Sequence, residues 1–331
     1  MSAPVMLFRG EQALATDEGV AAALALALRQ DAPAAGSLMF LNACPLPGID
    51  AQLRARLSCE QGFRPAFLGL GQAGYQTAPF VEAGGPIHAG AVVRAGRLRR
   101  ANEEMVARAL DAVPEGAPVL VAGGRTDGIR SLRKWAGARL PVEESFAKFH
   151  ATVFAFRRRA DNPFADLLPA AGGALSPAMF SASGPDAGSR LLARHFDGRM
   201  RGRVADFGAG SGYLSGELVA ASPDVSRVDL YEADFLSLER ARALLAGTGV
   251  EIGFHWHDIV GEPVPRDYDS IVMNPPFHAG RAADPAIGEA FIATASRALK
   301  PGGRLLMVAN RGLPYERALT AAFSRFTRLS E

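Results

Sequence analysis

Short apolar runs alternate with segments whose apolar residues recur at helical spacing along the whole chain. That alternation predicts an α/β fold built on a mostly parallel sheet. The pattern is clearest in the C-terminal half. There "RVADF" (203–207) predicts a first strand, "GYLSGELVAAS" (212–222) the helix after it, and "RVDLYEA" (227–233) a second strand followed by a helix over 236–246. "EIGFHWHD" (251–258), "YDSIVMN" (268–274) and "GRLLMVAN" (303–310) are the third, fourth and fifth strands. A helix over 287–299 precedes the fifth and is expected to stop at "KPGG".

The N-terminal half repeats this plan more faintly. "SLMFLNA" (37–43), "AGAVVRA" (89–95) and "APVLVAGGR" (117–125) match the first, fourth and fifth strands. "PVLVAGGRTDGIRSL" and "RLLMVANRGLPYERAL" share an order of strand, Val-Ala, Arg-containing turn and helix, which points to a duplicated domain. After Arg125 the first copy runs on through "ESFAKFHATVFAFRRR", whose alternation predicts a closing strand pair. The second copy has no counterpart, so its last strands are expected to be missing. The reading divides the chain into 1–160, a linker and lead-in over 161–185, and 186–331.

At 331 residues with 48% hydrophobic and 21% charged side chains, the chain has ample core for two domains. Net charge is only +2, but arginines cluster at 97, 99 and 100, at 157–159, and at 199, 201 and 203. Such clusters suit a polyanionic partner and suit solvated surface arginines equally well. Cys44 and Cys59 are too few for a disulfide framework or a zinc site, and no metal site is expected. His255 and His257 alternate on one strand with no third ligand and are read as packing residues. No apolar stretch has membrane-spanning length; the Ala/Leu-rich segment 20–28 reads as a packed helix. A cytoplasmic monomer is the expectation.

"DFGAGSGYLS" (206–215) places glycines between a strand and a helix, where the backbone can approach a ligand closely. Dinucleotide sites use similar loops. What separates this one is a row of acids: Asp206 opening the loop, Glu232 ending the second strand and Asp258 ending the third. Glu232 suits ribose hydroxyls and Asp258 an adenine amino group. An acid in the loop itself repels a pyrophosphate but tolerates a sulfonium and its amino-acid tail. S-adenosyl-L-methionine therefore fits better than NAD.

At the end of the fourth strand stands Asn274-Pro275-Pro276-Phe277. Two prolines end the strand rigidly, since neither has an N–H to give a ladder. The Asn274 amide oxygen and the Pro275 carbonyl become two acceptors held close together, as an exocyclic –NH2 requires, and Phe277 supplies a flat face for a base. His278 contacts substrate, takes a proton late or caps a turn; the residues leave all three open.

Asp206-x-Gly208-x-Gly210 combined with Asn274-Pro-Pro-Phe277 resembles the signature of class I S-adenosylmethionine-dependent N-methyltransferases. "NPPFHAG", the lead-in "MFSASGPDAGSRLL" (179–192) and "VANRGLPYERAL" (308–319) are similar to the ribosomal RNA (guanine-N2) methyltransferase family, strongly over 175–325 and loosely before that. The resemblance implies two tandem Rossmann-like methyltransferase domains, the N-terminal one degenerate, in keeping with "LNACPLPGID" (41–50) lacking a GxGxG loop. It implies Asp206, Gly208 and Gly210 at the methionine end of the cofactor, Glu232 at the ribose, and Asp258 with Ile259 at the adenine. Asn274, Pro275 and Phe277 would hold the guanine, while Phe180, Ser183 and Asp186 close over cofactor and target. Position 258 is often an amide in the family, and the family normally has two further strands. The implied partner is ribosomal RNA or a ribosomal subunit, small-subunit RNA first. Methylation of a protein glutamine or another nucleobase amine, and a non-catalytic RNA-binding protein, are the alternatives.

Overall fold

The computed structural model describes residues 11–81, 85, 87–168, 185–276, 278–279, 282–283, 285–310 and 315–329. The chain divides into two compact units, within Glu11–Ala182 and Ser183–Glu331.

The N-terminal unit runs α1 (Glu11–Asp31), β1 (Leu38–Leu41), α2 (Ala51–Ala55), β2 (Leu57–Glu60), α3 (Arg64–Gln72), β3 (Gln76–Ala78), β4 (Gly90–Arg94), α4 (Arg99–Asp111), β5 (Pro118–Gly124), α5 (Ile129–Gly137), β6 (Glu144–Lys148) and β7 (Ala151–Arg157). Its sheet has the order β3-β2-β1-β4-β5-β7-β6, parallel up to β5 and closed by the antiparallel pair β6–β7. Successive strand residues point to opposite faces, and here both faces are covered, which is why the strands read as unbroken apolar runs. Leu38 and Phe40 face Val20, Leu24 and Leu28 of α1, whereas Met39 and Leu41 face Val106 and Leu110 of α4. The packing continues past β7: Phe164 is fully buried and stacks on Trp135 with centroids 4.3 Å apart.

The C-terminal unit runs α6 (Ala187–Ala193), β8 (Gly202–Phe207), α7 (Tyr213–Ala221), β9 (Val225–Glu232), α8 (Phe235–Leu244), β10 (Glu251–Trp256), β11 (Tyr268–Met273), the short pair β12 (His278–Ala279) and β13 (Ala282–Ala283), α9 (Pro285–Ala298), β14 (Leu299–Met307) and α10 (Tyr315–Ala322). Its parallel sheet has the order β10-β9-β8-β11-β14, which is β3-β2-β1-β4-β5 repeated strand for strand. The two copies thus share one topology, and the described C-terminal sheet has five strands against seven. Helix α9 stops at Ala298, one residue before the sequence expectation. "KPGG" lies inside β14: Leu299 pairs with Tyr268, and the ladder shifts register before Arg304 pairs with Ser270.

Between β10 and β11 the chain crosses in eleven residues, 257–267, without a helix. A polar network occupies that region of the sheet. The fully buried Asp229 accepts bonds from Arg203 (2.7 Å), Arg227 (2.9 Å), His255 (3.1 Å) and Tyr268 (3.1 Å). The Tyr268 hydroxyl also meets that of Tyr231 at 2.7 Å. Arg203 reaches on to Asp267, and Arg227 to Glu251. Burial would raise the Asp229 carboxyl, but bonds from His255, Arg227 and Arg203 pull it well below the usual carboxylate range.

A contrasting carboxylate lies in the N-terminal unit. Glu104 on α4 is 2% exposed and neither carboxylate oxygen has a hydrogen-bond partner. Its neighbour Arg108 is committed to Glu60 and to the Val81 carbonyl, with its guanidinium 4.3 Å from the centre of the Phe80 ring. Burial pushes Glu104 up to about 7, against the opposing pull of Arg108. The native state therefore binds more protons than the unfolded state from about pH 4.5 to about 7, and stability falls as pH rises through that window. Glu104→Gln removes this dependence. Thermal unfolding should show the variant gaining about 1–3 kcal/mol relative to wild type between pH 4.5 and pH 8.

Candidate active site

In an open parallel sheet the ligand crevice forms beyond the carboxyl ends of the strands, where the strand order reverses. In the C-terminal unit that point lies between β8 and β11. The loop after β8 carries Gly208 (φ +73°) and Gly210 (φ +55°), conformations that side chains rarely adopt. A Cβ on Gly208 would stand 3.9 Å from the Asn274 carbonyl oxygen, so the glycine loop and the Asn-Pro-Pro corner adjoin.

The acids arrive on successive strands, as the sequence predicts. Asp206 is fully buried; its Oδ2 accepts from Ser215 at 2.7 Å and its Oδ1 has no hydrogen-bond partner. Burial pushes it up to about 7, opposed by the Ser215 hydrogen bond, with the Glu232 charge adding to the rise. Glu232 holds the loop itself: Oε2 accepts from the Gly210 N–H at 2.7 Å and Oε1 from the Asp234 N–H at 2.8 Å. Burial raises its pKa against those two bonds. Asp258 closes its own turn, its Oδ1 accepting from the Val260 N–H at 3.0 Å. Ile259 is buried beside Phe291, and its carbonyl accepts from Thr294 at 3.3 Å.

Asn274 follows β11 directly. Its Nδ2 donates to Asp186 Oδ2 at 3.0 Å and Ser189 Oγ at 2.8 Å, while its Oδ1 is buried without a partner. Pro275 is buried and Pro276 exposed. The corner thus presents a fixed, desolvated acceptor beside the glycine loop. Asp186 caps α6, taking the Ser189 N–H at 3.0 Å, and so lies behind Asn274. Phe180, Ser183 and Phe277 fall outside the described residues, as does the His278 side chain, although the His278 backbone pairs with Ala283 in β12–β13.

Ser189 and Ser215 escaped the sequence reading. Each contacts a predicted residue, and the Asp-x-x-Ser spacing at 186–189 is a helix-cap signal that could have singled out Ser189. His255 stacks on Tyr231 with centroids 4.5 Å apart and binds Asp229, as a packing residue would. Among the described residues no three His, Cys, Asp or Glu are grouped to hold a metal ion, and no helix is long and apolar enough to cross a membrane. Several of the clustered arginines have acidic partners: Arg99 on Glu103, Arg157 on Glu143, Arg199 on Asp197 and Arg203 on Asp229.

A five-stranded parallel sheet in this order, with a glycine loop after its first strand and an Asn-Pro-Pro corner after its fourth, defines a methyltransferase of the Rossmann-like class I type. The Methyltransferase small domain family matches residues 174–331. The chain is 37% identical over 231 residues to a Ribosomal RNA small subunit methyltransferase C from Chromohalobacter salexigens, covering 66% of this chain and 68% of that one. It is 31% identical over 221 residues to the namesake protein of Salmonella arizonae, covering 65% and 64%. The chain spans about two thirds of the length of these relatives, and it belongs to the ribosomal RNA small subunit methyltransferase C family. In fold it matches a T. thermophilus 16S rRNA N2 G1207 methyltransferase, solved in complex with AdoMet and guanosine, over 93% of this chain and 89% of that one, with a TM-score of 0.75 and 23% identity.

Gly212, which opens α7, ties the site loop to the core. Its φ is +84°, and a Cβ there would stand 2.9 Å from the Ala241 Cβ and 3.2 Å from its Cα. Gly212→Ala should destabilise the C-terminal unit by about 2–4 kcal/mol, through backbone strain and overpacking together, as read by urea unfolding.

Proposed function

We propose that the chain transfers a methyl group from S-adenosyl-L-methionine to the exocyclic N2 amine of a guanine in small-subunit ribosomal RNA. The observation that carries this reading is the buried, unpartnered Oδ1 of Asn274 beside the glycine loop. A desolvated acceptor without a partner costs about 1–3 kcal/mol, and a donor from the target amine offsets that cost.

The donor set fits the cofactor. Asp206 offers an unpartnered buried oxygen suited to the cationic methionine tail, the positive-φ glycines leave room beside it, and Glu232 stands where a ribose hydroxyl pair would be met. When bound, S-adenosyl-L-methionine supplies an electrophilic methyl on a sulfonium centre. Asn274 Oδ1 and the Pro275 carbonyl accept the two N–H groups of the amine. That draws the nitrogen lone pair out of ring conjugation and holds it in one orientation, so that catalysis is positional and electrostatic. Phe277 is assigned to stacking on the base, with Phe180, Ser183 and His278 around the target. Because the guanine amine is hidden inside a paired helix, the target is an unpaired or extruded nucleotide. Domain assignments follow the same reading, with 1–160 as a degenerate, RNA-gripping domain, 161–185 as lead-in and 186–331 as the catalytic domain, working in the cytoplasm.

The test is incubation with labelled S-adenosyl-L-methionine and small subunits or ribosomal RNA lacking the modification, followed by nucleoside analysis. Label is expected in N2-methylguanosine, and Asn274→Ala should reduce the rate by at least about 100-fold. Label found only in protein would assign the site to a glutamine side chain instead. Glu232→Gln should weaken cofactor binding by about tenfold in calorimetry, corresponding to loss of one charge-assisted bond.

A further inference from the structure

A carboxamide can present either its oxygen or its –NH2 to a ligand, because half a turn about the Cβ–Cγ bond exchanges the two with little change of shape. At Asn274 the choice decides the chemistry. The oxygen accepts from an amine, whereas an –NH2 in its place would set donor against donor.

The groups that make the choice lie on a different element. Asn274 Nδ2, Asp186 Oδ2 and Ser189 Oγ form a closed triangle with sides of 3.0, 2.8 and 2.7 Å. The Ser189 hydroxyl gives its hydrogen to Asp186, so its oxygen is left to accept. An ionised carboxylate has no hydrogen to give. A reversed Asn274 would therefore bring Oδ1 against two acceptors, while the observed orientation satisfies both and leaves Oδ1 buried and without a partner of its own. The Asp186 carboxylate is itself anchored. It caps α6 through the Ser189 N–H, and Gly188 brings the helix start in tightly, since a Cβ there would be 3.0 Å from Asp186 Oδ1 and 3.4 Å from Val308. Burial would raise the Asp186 carboxyl, yet bonds from Ser189, Gly188 and Asn274 hold it below its ordinary value, so it remains an acceptor at neutral pH.

We propose that Asp186 and Ser189 are positioning residues that lock the Asn274 carboxamide with its oxygen toward the incoming amine. Helix α6 then sets the polarity of the acceptor without touching the reacting atoms. The inference rests on the reading of Asn274 as the amine acceptor, and it replaces the expectation that Asp186 closes over the target.

Asp186→Asn tests it cleanly, because Asn caps a helix as well as Asp but can donate, which lets Asn274 sit either way. With the full chain and its RNA substrate, kcat should fall by about two- to tenfold, the share of the protein whose amide is reversed. KM for RNA and the calorimetric dissociation constant for S-adenosyl-L-methionine should stay unchanged. Ser189→Ala should lower kcat less, and should add little in the Asp186→Asn background. A raised KM with kcat unchanged would make Asp186 a direct substrate contact. Wild-type kcat in both variants would leave the pair as a helix cap alone. Either result overturns the proposal. A second measurement does not depend on turnover: the Asp186 carboxyl, followed by carbon-13 NMR against pH, should titrate below the ordinary carboxylate range and shift upward in Asn274→Ala. An unshifted titration would refute the contact. If the wild-type chain methylates no guanine, the functional reading fails, and the NMR comparison still decides the positioning role.

Discussion

A planar amide held by its nitrogen end organises the C-terminal unit around it. Asn274 Nδ2 is fixed by Asp186 and Ser189, and the amide oxygen is consequently buried with nothing to bond. Everything that supports this arrangement is short-range and rigid. The Pro-Pro corner stops β11 at one residue, the cap on α6 sets the carboxylate, and the positive-φ glycines let the neighbouring loop come up to the Asn274 carbonyl. Glu232 then holds that loop through the Gly210 N–H. The site is thus built from backbone conformations that few other residues could adopt.

The duplicated scaffold makes the comparison internal. In the N-terminal unit the corresponding strand ends are tied to nearby backbone groups by amide side chains, two at strand ends and one on α4. Asn42 donates to the Arg94 carbonyl at 2.9 Å, Gln61 to the Ala43 carbonyl at 2.7 Å, and Asn102 takes both the N–H and the carbonyl of Gly96 at 2.7 Å. The two sheets share the order of their five parallel strands, while the polar side chains at their strand ends differ.

Much of this was legible from local chemistry. Strand ends marked by Asp206 and Asn274 announce themselves through neighbouring glycines and prolines, and the succession of strands and helices follows from alternation. What was not legible depends on contacts across the chain. Asp186 reads as part of a lead-in, and only folding brings α6 against the end of β11, 88 residues away in sequence. Glu104 carries no mark of its own in the sequence, and only the fold shows it buried. "KPGG" reads as a helix stop, yet the chain is already pairing with Tyr268 when it reaches the proline. The arginine clusters looked like one feature, but their members divide between open surface and ion pairs with acids that lie elsewhere in the chain, such as Asp229.

The helix-free crossing between β10 and β11 has a thermal consequence. A sheet face covered by a helix is held by apolar contact, whose contribution levels off as temperature rises. The region around Asp229 is held by ions and hydroxyls, and the cost of stripping water from such groups falls on heating. Both kinds of contact meet on one face of the sheet, where Tyr231 and Tyr268 also pack with Phe291 and Ile292 of α9. The bonds that Arg203, Arg227 and Tyr268 make to Asp229 therefore lose less on heating than the apolar contacts packed beside them.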